Sequence, residues 1–338
     1  MTLLTAIEPV DHHHLEDAVR AIEWSASDRM MALGADGRTL VAGAERLTAP
    51  VGPDPIACAW ISPDRVAVVD GLLGVVVAGR APTGIVAGSG PVAVASPSRG
   101  ADDTTACRQH VVIAGHGGVS VMHADAQRID EPTVIHCGPV RVLAHLGGAI
   151  WLAGGTDGLV VVDVALGCVD QRVELPSVVA LAAAPAAGRV VAADASGAIH
   201  VLDIAELDNG TELTGYPDPV RHLGIDPTGD VIVAAADDEL TWWSIDDHGR
   251  VADEPETGLG HDAPITSCAV GRAGFVATGD MGGTLRLWSP RMRDLPVAAL
   301  ELDDEITVTT WSHHGDRLAV GTTGGEIVVA DIAVGDLL

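Results

Sequence analysis

The chain has 338 residues, 47% of them hydrophobic, enough to bury a large core in two ordinary domains or one large all-β domain. Its 47 acidic residues outweigh 19 basic ones, all arginine, leaving a net charge of −28. Such a surface repels nucleic-acid backbones and anionic membranes and favours a basic partner, a cation or plain solubility. Five scattered cysteines without a CxxC pair exclude a disulfide framework and imply a reducing compartment.

The N-terminal "MTLLTAIEPVDHHHLED" lacks a basic start and a long apolar core, so it does not read as a signal peptide. The most apolar stretch, 66–79, contains Asp70 and two glycines and is too short to span a bilayer. A cytoplasmic protein is the expectation. Within the N-terminus, residues 2–9 form a strand-like run. The next segment holds His12, His13 and His14 beside Asp11, Glu16 and Asp17. Imidazoles and carboxylates together can bind a first-row metal; the competing reading is a solvated loop before the first repeat.

From there a pattern recurs. Apolar, period-two runs begin near Val19, Ile56, Val92, Val140, Val178, Val220, Ile265 and Ile306, spaced 37, 36, 48, 38, 42, 45 and 41 residues apart. Each opens a unit of three strand-like runs: one alternating, one rich in Ala and Val, and one ending in Trp-Ser or an apolar-Asp pair. A looser fourth run fills the gap to the next unit, as at 294–304. Segments 97–107 and 205–219 read as loops. Val-rich runs broken by Gly are strands, and a unit this small cannot bury its own faces. Stacked four-stranded sheets around an axis can, so the pattern predicts an all-β fold: a single closed β-propeller of about eight four-stranded blades over 1–338. The long third gap and a degenerate second unit leave seven blades open. The last unit lacks a fourth strand, which the run at 2–9 would supply, closing the ring without an open edge.

In the seventh unit, Gly260-His261 and "VATGDMGGTLRLWS" carry a sharper signature. The chain resembles the WD-repeat β-propeller family, with Trp288 in the Trp place and Ser289 in the Asp place. Trp243-Ser244, Leu202-Asp203, Val162-Asp163 and Ala330-Asp331 are weaker versions of that ending. The resemblance implies a buried hydrogen-bond network in which His261, Thr278 and Trp288 take three places. Gly282 stands where the family has a turn Asp, so the network is expected to be incomplete, with His261 turning to Asp280 or Asp262. The resemblance carries function only by analogy, because propellers host scaffolds, binders and enzymes.

In that fold the loops before first strands and those between second and third strands share one face. Asp17, Asp262, Asp303 and Asp304 fall in the first set, and Asp36, Asp157 and Asp238 in the second. They are the candidate partner-binding residues, and they imply a protein partner with a basic patch, steered by charge. The competing reading is that turns favour Asp in any acidic chain. Trp24, Trp60 and Trp311, near the ends of first strands, are candidate anchors or core residues. His313-His314 belongs on the opposite face. No nucleophile elbow, phosphate loop, haem attachment or acid–base pair stands out, so no catalytic residue and no cofactor is assigned. The expected function is a non-enzymatic interaction scaffold, or an accessory subunit of a larger complex. The alternative is a metal-dependent or small-molecule-binding enzyme at the mouth of the channel, built on His12, His13, His14, His261 and Asp303.

Overall fold

The computed structural model describes residues 7–25, 27–41, 53–62, 65–70, 74–78, 85–86, 91–95, 109–124, 132–290 and 295–332. The expected loop at 97–107 lies outside them. Apart from a short 3-10 turn at Pro185–Ala187, every regular element among the described residues is a β-strand. The strands form eight antiparallel sheets, seven with four strands and one with three. We number them by their first strands: Val19–Trp24, Pro55–Ser62, Pro91–Ala95, Val140–Gly147, Val178–Ala184, His222–Ile225, Ile265–Val270 and Ile306–Trp311.

The second strand of each sheet lies between two others and also packs against neighbouring sheets. It therefore needs small or β-branched apolar residues on both sides. In sheets one and seven, Met30–Gly34 and Val276–Asp280 are buried throughout; in sheet six, Val231–Ala236 is buried up to its last residue. Glycine enters where sheets come closest. A Cβ on Gly154 would lie 2.8 Å from Val178 of the next sheet, and one on Gly279 would collide with Ile306. The same holds for Gly321 of sheet eight, whose Cβ would meet Val19 of sheet one.

First strands share a second feature. In sheets one, two, four, five, seven and eight the register slips after the first residue: Val19 pairs with Gly34 but Ala21 with Leu33, and Ile265 with Asp280 but Ser267 with Gly279. The second residue of each such strand is thus bulged out of the ladder, where its side chain is re-aimed. First strands also lie against one another in order, sheet one on two through to seven on eight, and Ile306–Trp311 of sheet eight lies on Val19–Trp24 of sheet one.

Sheet eight runs Ile7–His14, Glu326–Ile332, Arg317–Thr322, Ile306–Trp311, so a strand from one end of the chain is its outermost member. Ile7 pairs with Ile332 and His14 with Glu326. The described strand takes up 7–9 of the expected run at 2–9 and continues to His14, residues 2–6 lying outside the described residues, so His12, His13 and His14 lie within it rather than in a loop. Backbone pairing with the apolar Glu326–Ile332 outweighs the polar sequence, and most of the strand stays exposed on its free side. The expected loop at 205–219 is corrected in the same way. Glu206–Leu213 is the fourth strand of sheet five, held by its ladder and by buried Leu207 and Leu213.

The core is a series of layers between sheets. One joins Ala277, Leu285 and Leu287 of sheet seven to Ile306, Leu318 and Val320 of sheet eight. Another joins Val19, Ile22 and Met30 of sheet one to Ala319, Ile327 and Val329 of sheet eight.

Candidate interaction face

In sheets one, four, five, seven and eight the turn after the second strand is tied to the residue just before the first strand. Ala35 N–H donates to Ala18 O (2.8 Å), Thr156 to Pro139 (3.3 Å), Ala195 to Ser177 (2.8 Å), Met281 to Pro264 (3.0 Å) and Thr323 to Glu305 (2.9 Å). The two loop classes therefore meet at one end of their sheets. Asp17, Asp36, Asp157, Asp238, Asp262, Asp303 and Asp304 all stand at that end. Asp36 is half-buried and held by Arg38, whose backbone N–H donates to it at 3.0 Å; the other six are exposed. Asp17 accepts from Ala18 N–H and Asp157 from the Thr156 hydroxyl. Asp238, Asp262, Asp303 and Asp304 accept no hydrogen bond and make no ion pair among the described residues. At the opposite end many carboxylates are used internally. Asp226 accepts from Asp230 and Val231 N–H, Asp246 from His248 and Arg250 N–H, and Asp28 from His313 N–H. His313-His314 lies at that opposite end, with His314 against Asp28.

Beneath the face, sheet seven holds a complete polar chain. Trp288 Nε1–H donates to Thr278 Oγ1 (2.7 Å), Thr278 lies 2.6 Å from His261 Nε2, and His261 Nδ1 lies 2.7 Å from Asp280 Oδ2. Asp280 Oδ1 accepts Gly282 and Thr284 N–H at 2.9 and 2.8 Å. His261 turns to Asp280, one of its two expected acceptors, and the expected incompleteness is corrected, because Asp280, two residues before Gly282, brings the carboxylate to both the turn and the imidazole. Burial lowers the His261 pKa against the opposing pull of Asp280. A neutral ring then accepts from Thr278 and donates to Asp280, so every member is satisfied.

Sheet five repeats the device with a different donor. Asp194 Oδ1 accepts from Ser196 and Ala198 N–H, and Oδ2 meets His200 Nε2 at 2.8 Å. Burial alone raises the Asp194 carboxyl, but the bonds from Ser196, His200 and Ala198 outweigh it and the net shift is downward.

The three tryptophans are structural. Trp24 Nε1–H donates to Thr310 O of sheet eight, Trp60 to Glu23 O of sheet one and Trp311 to Ala269 O of sheet seven, at 3.1–3.3 Å. Each indole therefore bonds the first strand of the preceding sheet instead of standing free as an anchor. Between them, Glu23 is exposed by surface area yet surrounded by protein. That enclosure pushes its carboxyl up to about 7; the neighbouring Cys58 thiol is raised by its own burial first and by the Glu23 charge second.

A cleft of about 450 Å³ brings His12, His13 and His14 together with Asp303, Asp304 and Glu326. His12 Nδ1 is 3.4 Å from Glu326 Oε1. The cleft lies between the outermost strand of sheet eight and the loop before its first strand, so it unites His12, His13, His14 and Asp303 of the expected site, whereas His261 is engaged within sheet seven. Among the described residues no group of three or more His, Cys, Asp or Glu is arranged to hold a metal.

Missed from sequence were Arg20, Arg141 and Arg221, each in the recurring dipeptide Val-Arg at a repeat start; Arg20 and Arg141 follow the first residue of sheets one and four, and Arg221 immediately precedes the first strand of sheet six. All three are exposed. The signal was legible: in each case the Arg sits one residue past a repeat start.

The WD domain, G-beta repeat family model matches residues 254–289. SIR4-interacting protein SIF2 of Saccharomyces cerevisiae is 29% identical over 139 residues, 40% of this chain and 25% of that protein. The match thus spans about a quarter of that relative's length. The Dos1 propeller superimposes with a TM-score of 0.77 at 14% identity, over 97% of this chain and 96% of the other. The computationally designed Ika8 protein does so with 0.74 at 19% identity, over 97% and 100%. The matched repeat and its buried Trp–Thr–His–Asp chain make residues 254–289 similar to a WD repeat, and the solved neighbours show that the chain as a whole has the fold of a β-propeller.

Proposed function

We propose that the chain is a non-enzymatic protein-interaction scaffold, or an accessory subunit of a larger complex, that docks a protein partner on its acidic loop face. WD-repeat propellers typically act as interaction scaffolds and are generally not enzymes. The observation that carries the reading is the four exposed carboxylates without partners at one end, Asp238, Asp262, Asp303 and Asp304. Exposed, unspent charge steers a basic partner and speeds docking. The yeast relative is named for an interaction with another protein, which favours the same class of role.

The proposed architecture is one closed ring of eight blades over 1–338. Three features support it: eight sheets with first strands in cyclic order, the pairing of Ile7–His14 with Glu326–Ile332, and the Val19–Gly321 contact between sheets one and eight. A cytoplasmic location accords with the scattered cysteines.

The test is affinity capture from the native cell extract at low and high salt, with mass spectrometry of co-eluting proteins. The reading expects a partner that is retained at low salt and lost when Asp238, Asp303 and Asp304 are changed together to Lys. A partner bound equally by wild type and that variant would overturn the acidic-face contact.

A further inference from the structure

The acidic face has a basic centre. Arg20 and Arg141 occupy the second, bulged position of their first strands, and Arg221 stands immediately before His222, where the first strand of sheet six begins. In sheet six the same position follows from register, since His222 pairs with Ala235 as Ala21 pairs with Leu33. A bulge turns its extra residue out of the ladder. Two threonines show where this position reaches. Thr307 Oγ1 donates to Val19 O of the next sheet at 2.6 Å, and Thr266 Oγ1 donates to Ile306 O of the next sheet. Second-position side chains therefore sit at one level, beside the first residue of the adjoining first strand, around the cyclic order of sheets.

At this level the charge is one-signed. The three arginines belong to sheets one, four and six, so steps of three, two and three sheets separate them around a ring of eight. That spacing is close to three-fold, and it surrounds the axis instead of forming a lateral patch. The other five second positions are Ile, Val or Thr, and none is acidic. Only about one residue in eighteen is basic in this chain, so three in eight positions is a concentration. All three side chains are exposed, and among the described residues none makes a hydrogen bond or an ion pair. They stay unpaired although Asp238, Asp262, Asp303 and Asp304 stand unpaired at the same end. A guanidinium presents several donors in a planar fork suited to carboxylate or phosphate oxygens.

We infer that Arg20, Arg141 and Arg221 form a receptor for an anionic side chain of the partner, at the mouth of the axial channel. The inference rests on the interaction reading above and adds the chemistry of its centre. The partner segment is a peptide whose middle carries clustered negative charge, from carboxylates or a phosphorylated residue, and whose flanks carry arginine or lysine. The middle meets the three arginines, and the flanks meet the aspartates of the rim.

The experiment uses the full chain and three short fluorescein-labelled peptides with identical arginine flanks and a glutamate, phosphoserine or glutamine core. Binding is followed by fluorescence anisotropy at low salt. The expected result is that a charged core binds about tenfold or more tighter than glutamine. The variant Arg20→Gln/Arg141→Gln/Arg221→Gln should erase that advantage while its melting temperature stays at the wild-type value. The better of the two charged cores identifies the source of the charge. Equal binding of all three peptides, or full retention by the triple variant, overturns the receptor. A second variant, Asp238→Lys/Asp303→Lys/Asp304→Lys, separates the two claims. If it binds the charged-core peptides as wild type does while the arginine variant does not, the centre stands and the acidic rim fails. If only the aspartate variant loses binding, the rim stands and the centre fails.

Discussion

Asp280 and Asp194 show how one carboxylate can define a turn. Each ends a second strand, is almost fully buried, and accepts two backbone N–H groups from the four residues that follow. Thr322, at the same position in sheet eight, accepts Glu326 N–H with a hydroxyl. Buried charge is tolerated because these donors replace water. In sheet seven the carboxylate also fixes His261, which fixes Thr278, which fixes Trp288. Thr278→Val should strand the indole N–H and the imidazole together and cost about 2 kcal/mol or more, read as a lower denaturation midpoint. His261 carries a pH signature as well. Burial lowers its folded pKa below the unfolded value of about 6.5, so between the two values the unfolded chain binds more protons. Its stability contribution is therefore complete above about 6.5 and is lost as pH falls towards the folded value. Melting curves of wild type and His261→Gln across pH 5 to 8 should converge on the acid side.

At the scale of elements, first strands are joined to their neighbours by side chains as well as by apolar layers. Trp24, Trp60 and Trp311 bond backward to the preceding sheet, while Thr266 and Thr307 bond forward to the next. These contacts run across sheets seven, eight, one and two, including the pair that joins residues 288 positions apart. Phenylalanine at any of the three tryptophan positions keeps most of the packing but removes the N–H. Each such variant should lose about 1 kcal/mol in denaturant titrations. Trp24→Phe and Trp60→Phe should be less than additive if the sheet-one strand they share moves as a unit. In sequence these residues read equally as interface anchors or as core, because alternation alone cannot say which carbonyl lies opposite an indole.

Across the whole molecule, a net charge of −28 acts against the compact state through self-repulsion. Salt screens that repulsion within about 10 Å at 0.1 M. Raising sodium chloride from low to moderate concentration should increase the melting temperature, while weakening capture of a partner held by the rim. Opposite responses of stability and binding to the same salt would separate global from local electrostatics. A melting temperature that falls with salt would mean that the few ion pairs, such as Arg317–Asp331, outweigh the repulsion.

The sequence by itself determined the β-rich repeat, the approximate unit boundaries and the WD-type ending of the seventh unit. Those features are local: period-two alternation, turn glycines and short motifs are written in consecutive residues. Tertiary structure alone decided between Asp280 and Asp262, the two acceptors the sequence offered for His261, and showed that Asp280 completes the chain. It also decided that His12, His13 and His14 pair as an outermost strand and that three tryptophans bond backward between sheets. Each depends on which groups distant segments bring within 3 Å, and periodicity holds no record of that. Arg20, Arg141 and Arg221 stand between the two cases. Their recurrence after a repeat start was visible, but their common level around the first strands came from a bulged register and cyclic contacts that only the folded chain provides.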